Sequence, residues 1–130
     1  MGRVIALDHG AARCGVAATD PSRTIVSPKD PILKPDSDDG FAEILRLVAD
    51  LEADGVLVGL PLALSGEESS QSVVARNFAS RVASAIAPAW VEMMDERHST
   101  SEAKARGGVT SEDSRAAAVL LERWLEANPQ

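Results

Sequence analysis

The chain has 130 residues, 45% of them apolar, which is enough to build the core of one compact domain. Thirteen basic against 20 acidic residues leave a net charge of -7, which argues against a generic nucleic-acid coat, because such proteins neutralise phosphates with Lys and Arg. Cys14 is the lone cysteine, excluding an internal disulfide or a cysteine-based metal site within one chain, and no run approaches the roughly 20 apolar residues of a membrane helix.

Met1-Gly2-Arg3 leads straight into a strand-like segment with no secretory layout, so the expected location is the cytoplasm. From Arg3 to His9, Val4, Ala6 and Asp8 share one face and Ile5 and Leu7 the other, the period-2 signature of a strand. Gly10 and Gly15 bracket a turn into a second strand over Cys14 to Thr19, which predicts a hairpin. A third strand fits Thr24 to Lys34, confined to an edge by Pro28 and Pro31. Phe41, Ile44, Leu45, Val48 and Leu51 then form a helical stripe, with Asp38 or Asp39 as its cap. Gly55 to Leu60 is continuously apolar and ends at Pro61, as a central strand buried on both faces would. After a polar loop over Ser65 to Ser72, Val74, Phe78, Val82, Ala85 and Ile86 mark a second helix, closed by Pro88. A fifth strand over Ala89 to Met94 runs into Asp95-Glu96-Arg97. Ser99 or Thr100 can cap a short helix to about Arg106, ended by Gly107-Gly108. The last helix spans Ser111 to Ala127, with Ala117, Leu120, Leu121, Trp124 and Leu125 inward. The expectation is a single α/β domain over residues 1–130.

Three acidic positions stand at the ends of elements: Asp8 after the first strand, Asp95 with Glu96 after the fifth, and Asp113 opening the last helix. Parallel strands deliver their C-terminal ends to one sheet edge, where α/β folds bind ligands. Asp113 also heads the face of Ala117, Leu120 and Trp124, and an ionised carboxylate facing a core is costly unless a partner such as a metal ion shares it. An all-oxygen set favours Mg2+ or Mn2+. Each acid alone has a plainer reading: Asp8 as a turn residue before Gly10, Asp113 as an answer to the positive helix end or to Thr110, and Asp95-Glu96-Arg97 as a solvated loop.

Four segments together resemble the YqgF/RuvX family. They are Asp8-His9-Gly10-Ala11-Ala12-Arg13-Cys14-Gly15-Val16-Ala17, Val58-Gly59-Leu60-Pro61-Leu62 with Gly66, Asp95-Glu96-Arg97-His98-Ser99-Thr100, and Asp113-Ser114-Arg115-Ala116-Ala117 with Leu120-Leu121. The resemblance implies an RNase H-like fold with a five-stranded mixed sheet flanked by helices, and a divalent-metal-dependent nuclease that resolves Holliday junctions or processes the 5' end of pre-16S rRNA. It also implies catalytic roles for Asp8, Asp95, Glu96 and Asp113, with Asp8, Asp95 and Asp113 as metal ligands. Arg13 and Arg97 match basic motif positions that hold phosphate or form salt bridges to the same carboxylates. Gly59 and Pro61 would let backbone approach substrate. The chain departs from the family in His9 and His98, and in having only Lys104 and Arg106 between Thr100 and Asp113. Gly59 stands where some resolvases of this fold carry a glutamate, with Glu67 and Glu68 following in the loop.

Two rival readings fit the same residues. A noncatalytic RNase H-like module would bind nucleic acid or a partner protein without needing Asp8. An actin-like ATP-binding lobe shares the Asp-x-Gly hairpin but needs a second lobe, and so a dimer. Symmetrical cutting of a four-way junction also calls for a twofold homodimer. Branched DNA and precursor rRNA offer the same phosphate geometry, and the sequence does not choose between them.

Overall fold

The computed structural model describes residues 2–97 and 111–129. The short helix expected from Ser99 to Arg106, its Gly107-Gly108 stop, His98 and Thr110 lie outside them. β1 (Val4–Asp8) and β2 (Arg13–Thr19) form the expected antiparallel hairpin, with Leu7 opposite Val16 and Asp8 opposite Gly15. β3 (Val26–Leu33) pairs antiparallel with β2 and occupies the sheet edge, where Pro28 and Pro31 cost no interior ladder bond.

Two further strands, β4 (Gly55–Leu60) and β5 (Trp90–Asp95), add in parallel on the other side of β1, giving the order β3-β2-β1-β4-β5. The sheet is thus five-stranded and mixed, as expected. β4 lies between β1 and β5 and every residue of it is buried, which is why its sequence is an unbroken apolar run.

The alternation in β1 sorts the core into two layers. Ile5 and Leu7 face α1 (Asp38–Asp50) and α2 (Ser70–Ile86), packing with Phe41, Ile44, Phe78 and Val82. Val4 and Ala6 face α3 (Glu112–Ala127) and pack with Ala117, Leu120, Leu121 and Trp124. On that side Trp90 of β5 stacks on Trp124 of α3 at 5.3 Å between ring centroids, and the Trp124 indole N–H donates to Glu92 at 2.7 Å.

Two details differ from the sequence reading. Ser37, not Asp38 or Asp39, caps α1: its hydroxyl accepts from the Gly40 amide at 3.0 Å, leaving both aspartates in the first turn, where the helix dipole favours them. The buried stripe of α2 runs through Ser72, Ala75, Phe78, Ala79 and Val82, while Val74 and Ala85 are exposed. Small residues let the helix lie close to the sheet, and Ser72 closes a reciprocal capping pair with Ser69.

Candidate active site

β1, β4 and β5 run parallel, and β3 runs with them because it is antiparallel to β2. Their C-terminal ends therefore share one edge, which gathers Asp8, Leu33-Lys34, Pro61 and Asp95-Glu96. The N-terminus of α3 is pinned to the same edge by two contacts with β2.

The first is a close approach. A Cβ on Gly15 would stand 2.8 Å from the Ser114 amide nitrogen and closer still to the Asp113 carbonyl, so only glycine lets the helix end lie there. The second is a hydrogen bond from the Val16 amide to the buried Ser114 hydroxyl at 3.1 Å, at a bulge that interrupts the β2–β3 ladder. Ser111 caps the helix by accepting from the Ser114 amide at 3.1 Å. Because Gly15 sits opposite Asp8, these contacts bring Asp113 next to Asp8.

Glu96 completes the group. Its amide donates to the Leu60 carbonyl at 3.1 Å, its side chain hydrogen-bonds Asp8, and its carboxyl lies over Gly59, where a Cβ would collide with it. Gly59 is thus a floor that makes room for Glu96. Burial raises the Glu96 carboxyl to about 9, assisted by the hydrogen bond it donates to Asp8 and by the charges of Asp8 and Asp95. Burial also raises Asp8; the Glu96 hydrogen bond opposes this, and Asp113 adds to it. Two carboxyls in contact and shielded from water cannot both ionise, so they share a proton.

Asp95 was expected beside them as a metal ligand, but its carboxylate is turned to Arg97. It accepts from the Arg97 amide at 2.9 Å and lies 2.7 Å from Nε, and this guanidinium holds its carboxyl below the usual range. Arg97 also donates to the Leu64 carbonyl at 3.0 Å, tying the β4–α2 loop to the end of β5. Of the two readings of Arg97, phosphate contact or salt bridge, the structure displays the salt bridge. Arg13 lies 3.4 Å from Asp113, with both side chains about half exposed.

His9 packs on the α2 side rather than among the acids. Its ring lies 4.5 Å from that of Phe78, and its Nε2 is 3.0 Å from Asp36. Glu68 is engaged by Arg76 through two bonds of 2.9 and 2.8 Å, so it is not poised as a further acid of the edge. Among the described residues no three acids already converge into a cation cage. What they offer is a touching pair, Asp8 with Glu96, and a third carboxylate brought alongside. The sequence places Gly15 at the hairpin turn and Ser114 within a motif, with nothing to link the two. Val16 and Ser114 lie 98 residues apart, which hides the link, and a small polar residue directly after Asp113 is the one sign of it in the sequence.

Residues 2–127 match the family model RuvX, described as Holliday junction resolvase. A protein of Rhodococcus erythropolis described as a candidate pre-16S rRNA nuclease is 36% identical, over 96% of this chain and 78% of its own. One of Thermobifida fusca with the same description is 37% identical, over 94% of this chain and 86% of its own. Among solved structures, Thermus thermophilus RuvC bound to a Holliday junction superposes with a TM-score of 0.62, covering 98% of this chain and 96% of that one at 11% identity. At that identity the likeness is one of fold, and the fold is RNase H-like.

Proposed function

Because the chain belongs to the RuvX family of Holliday junction resolvases, we propose that it is a hydrolase that cuts nucleic-acid phosphodiester bonds with divalent cations held by Asp8, Glu96 and Asp113. The observation that carries this reading is the Asp8–Glu96 carboxyl pair, which holds a proton where a cation would neutralise it better, with Asp113 pinned alongside by Gly15 and Ser114.

The donor set is all carboxylate oxygen, which suits Mg2+ or Mn2+. A cation held there would replace the shared proton and the Arg13 contact of Asp113. When bound, the cation supplies Lewis acidity and positive charge at the scissile phosphate. The chain's own residues do the rest. Gly59 leaves the floor open for the Glu96 carboxyl, Gly15 and Ser114 fix Asp113, and Asp95 holds Arg97 rather than a cation. Arg13, released from Asp113, is free to meet a phosphate oxygen. Branched DNA and the precursor of 16S rRNA both present such phosphodiesters, the former supported by the family's description and the latter by the relatives'. Symmetric cutting of a junction would take two copies of the chain.

The test is incubation of the purified chain with labelled four-way junction, duplex, single-stranded DNA and rRNA-leader substrates, in Mn2+, Mg2+ or EDTA. Asp8→Asn and Asp113→Asn are run beside it. Metal-dependent cleavage of at least one substrate, lost in both variants, is the expected result. Equal cleavage by all three proteins would point to a contaminating nuclease and leave a noncatalytic binding module as the better account.

A further inference from the structure

At the same edge, Lys34 directly follows β3 and lies in the left-handed region, with φ 47°. A lysine has no intrinsic reason to be there: the conformation favours glycine and costs other residues energy. The surrounding backbone imposes it. The Lys34 amide donates to the Ala12 carbonyl at 3.0 Å, and the Lys34 carbonyl accepts from the Ser37 amide at 3.0 Å and the Ser37 hydroxyl at 2.7 Å. Gly40 passes so close to that carbonyl that a Cβ would collide with it. The backbone of Lys34 is therefore fixed to the β1–β2 turn, one residue from Arg13, which pairs across the ladder with Leu33.

The cation so presented is exposed and forms no ion pair among the described residues. Its neighbours of the same sign on this edge face carboxylates, Arg13 at 3.4 Å from Asp113 and Arg97 bound to Asp95, so Lys34 would add a grip beside that of Arg13. The acids that follow it do not claim it either. Asp36 binds His9, and Asp38 and Asp39 stand in the first turn of α1. On the far side of the edge, the β4–α2 loop carries Glu67 and the Arg76-bound Glu68. A polyanion reaching the carboxylates thus meets in Lys34 an exposed cation at the end of β3 that no carboxylate among the described residues pairs.

We propose that Lys34 grips a backbone phosphate of the substrate strand next to the one that is cut, so that the strand leaves the site across the β1–β2 turn and over the end of β3. The hydrogen bonds to Ala12 and Ser37 fix the Lys34 backbone at this edge, and its side chain is exposed there. The inference rests on the nuclease reading and adds the direction of the strand to it.

The experiment measures binding of a labelled four-way DNA junction and of a labelled 16S-precursor leader RNA to the full chain in EDTA, over about 50 to 300 mM KCl, where each neutralised phosphate adds to the salt slope. Wild type is compared with Lys34→Gln, Lys34→Arg and Lys34→Gly. Lys34→Gln and Lys34→Gly are expected to bind about 3- to 10-fold more weakly, with the log–log salt slope shallower by about 0.9 on duplex or 0.7 on single strands. Lys34→Arg should restore both. Lys34→Gly should melt no lower than wild type, since glycine accepts the backbone conformation, which separates lost grip from lost fold. An effect confined to the junction or to the leader RNA assigns the phosphate to DNA or to RNA, and either supports the proposal. Wild-type affinity and slope in both Lys34→Gln and Lys34→Gly would overturn it. Asp8→Asn, assayed in parallel for cleavage, keeps the two claims apart: if it still cuts, the nuclease reading fails whatever Lys34 does.

Discussion

Replacing Gly15 by alanine tests the placement of Asp113 directly. The new Cβ would lie 2.8 Å from the Ser114 nitrogen and nearer to the Asp113 carbonyl, whereas non-bonded contacts to carbon settle at roughly 3.5 Å or more. Both obstacles are backbone, so the start of α3 must retreat by roughly 1 Å. That retreat stretches the Val16–Ser114 hydrogen bond, now 3.1 Å, past useful range and carries Asp113 away from Asp8. Overpacking of this kind costs about 1–3 kcal/mol, and a misplacement of about 1 Å at a catalytic group costs on the order of 100-fold in rate. Gly15→Ala should therefore remain folded, melt several degrees lower, and show kcat/KM for metal-dependent cleavage reduced about 100-fold. Wild-type kcat/KM in a variant whose melting temperature has fallen would refute the reasoning, because the helix end would have moved without consequence for the chemistry.

The remaining predictions concern the same group. Glu96 is raised from 4.5 to about 9 on folding, so the folded chain binds more protons than the unfolded one between those values. Its contribution to stability is full below pH 4.5 and lost as pH rises towards 9. Urea unfolding without metal should thus show wild type losing stability over that range relative to Glu96→Gln, and parallel pH curves would contradict the shared proton. Mn2+ binding at neutral pH should release close to one proton per chain, as read by calorimetry in two buffers of different ionisation heat, with the release absent in Glu96→Gln. Ser114→Ala leaves the Val16 amide without its partner and should cost about 1–3 kcal/mol by denaturant unfolding; a loss near zero would mean that another acceptor takes the amide.

Much of this architecture was readable because its signals are local. Alternation in β1 sorted Val4 and Ala6 from Ile5 and Leu7, and the two core layers follow that division. Prolines at 28 and 31 placed β3 at an edge, and the unbroken run of β4 announced burial on both faces. The phase of α2 escaped because its contact face is made of Ser72, Ala75 and Ala79, while the larger Val73 and Val74 point to solvent. At the site, strand ends pointed to the acids, but Glu96 meets Asp8 while Asp95 turns to Arg97, a division between adjacent residues that no spacing encodes. The left-handed turn of Lys34 was equally invisible, since its cause is a set of hydrogen bonds to Ala12 and Ser37 rather than the residue itself.

The chain contains two tryptophans and no tyrosine, and both indoles sit in the single stack that joins β5 to α3. Its ultraviolet emission is consequently a local gauge rather than a global one. A shift to longer wavelength reports that the last helix has lifted from the sheet, and with it the acid at its head. Seating of that helix by cation or substrate can be followed in real time with no added dye.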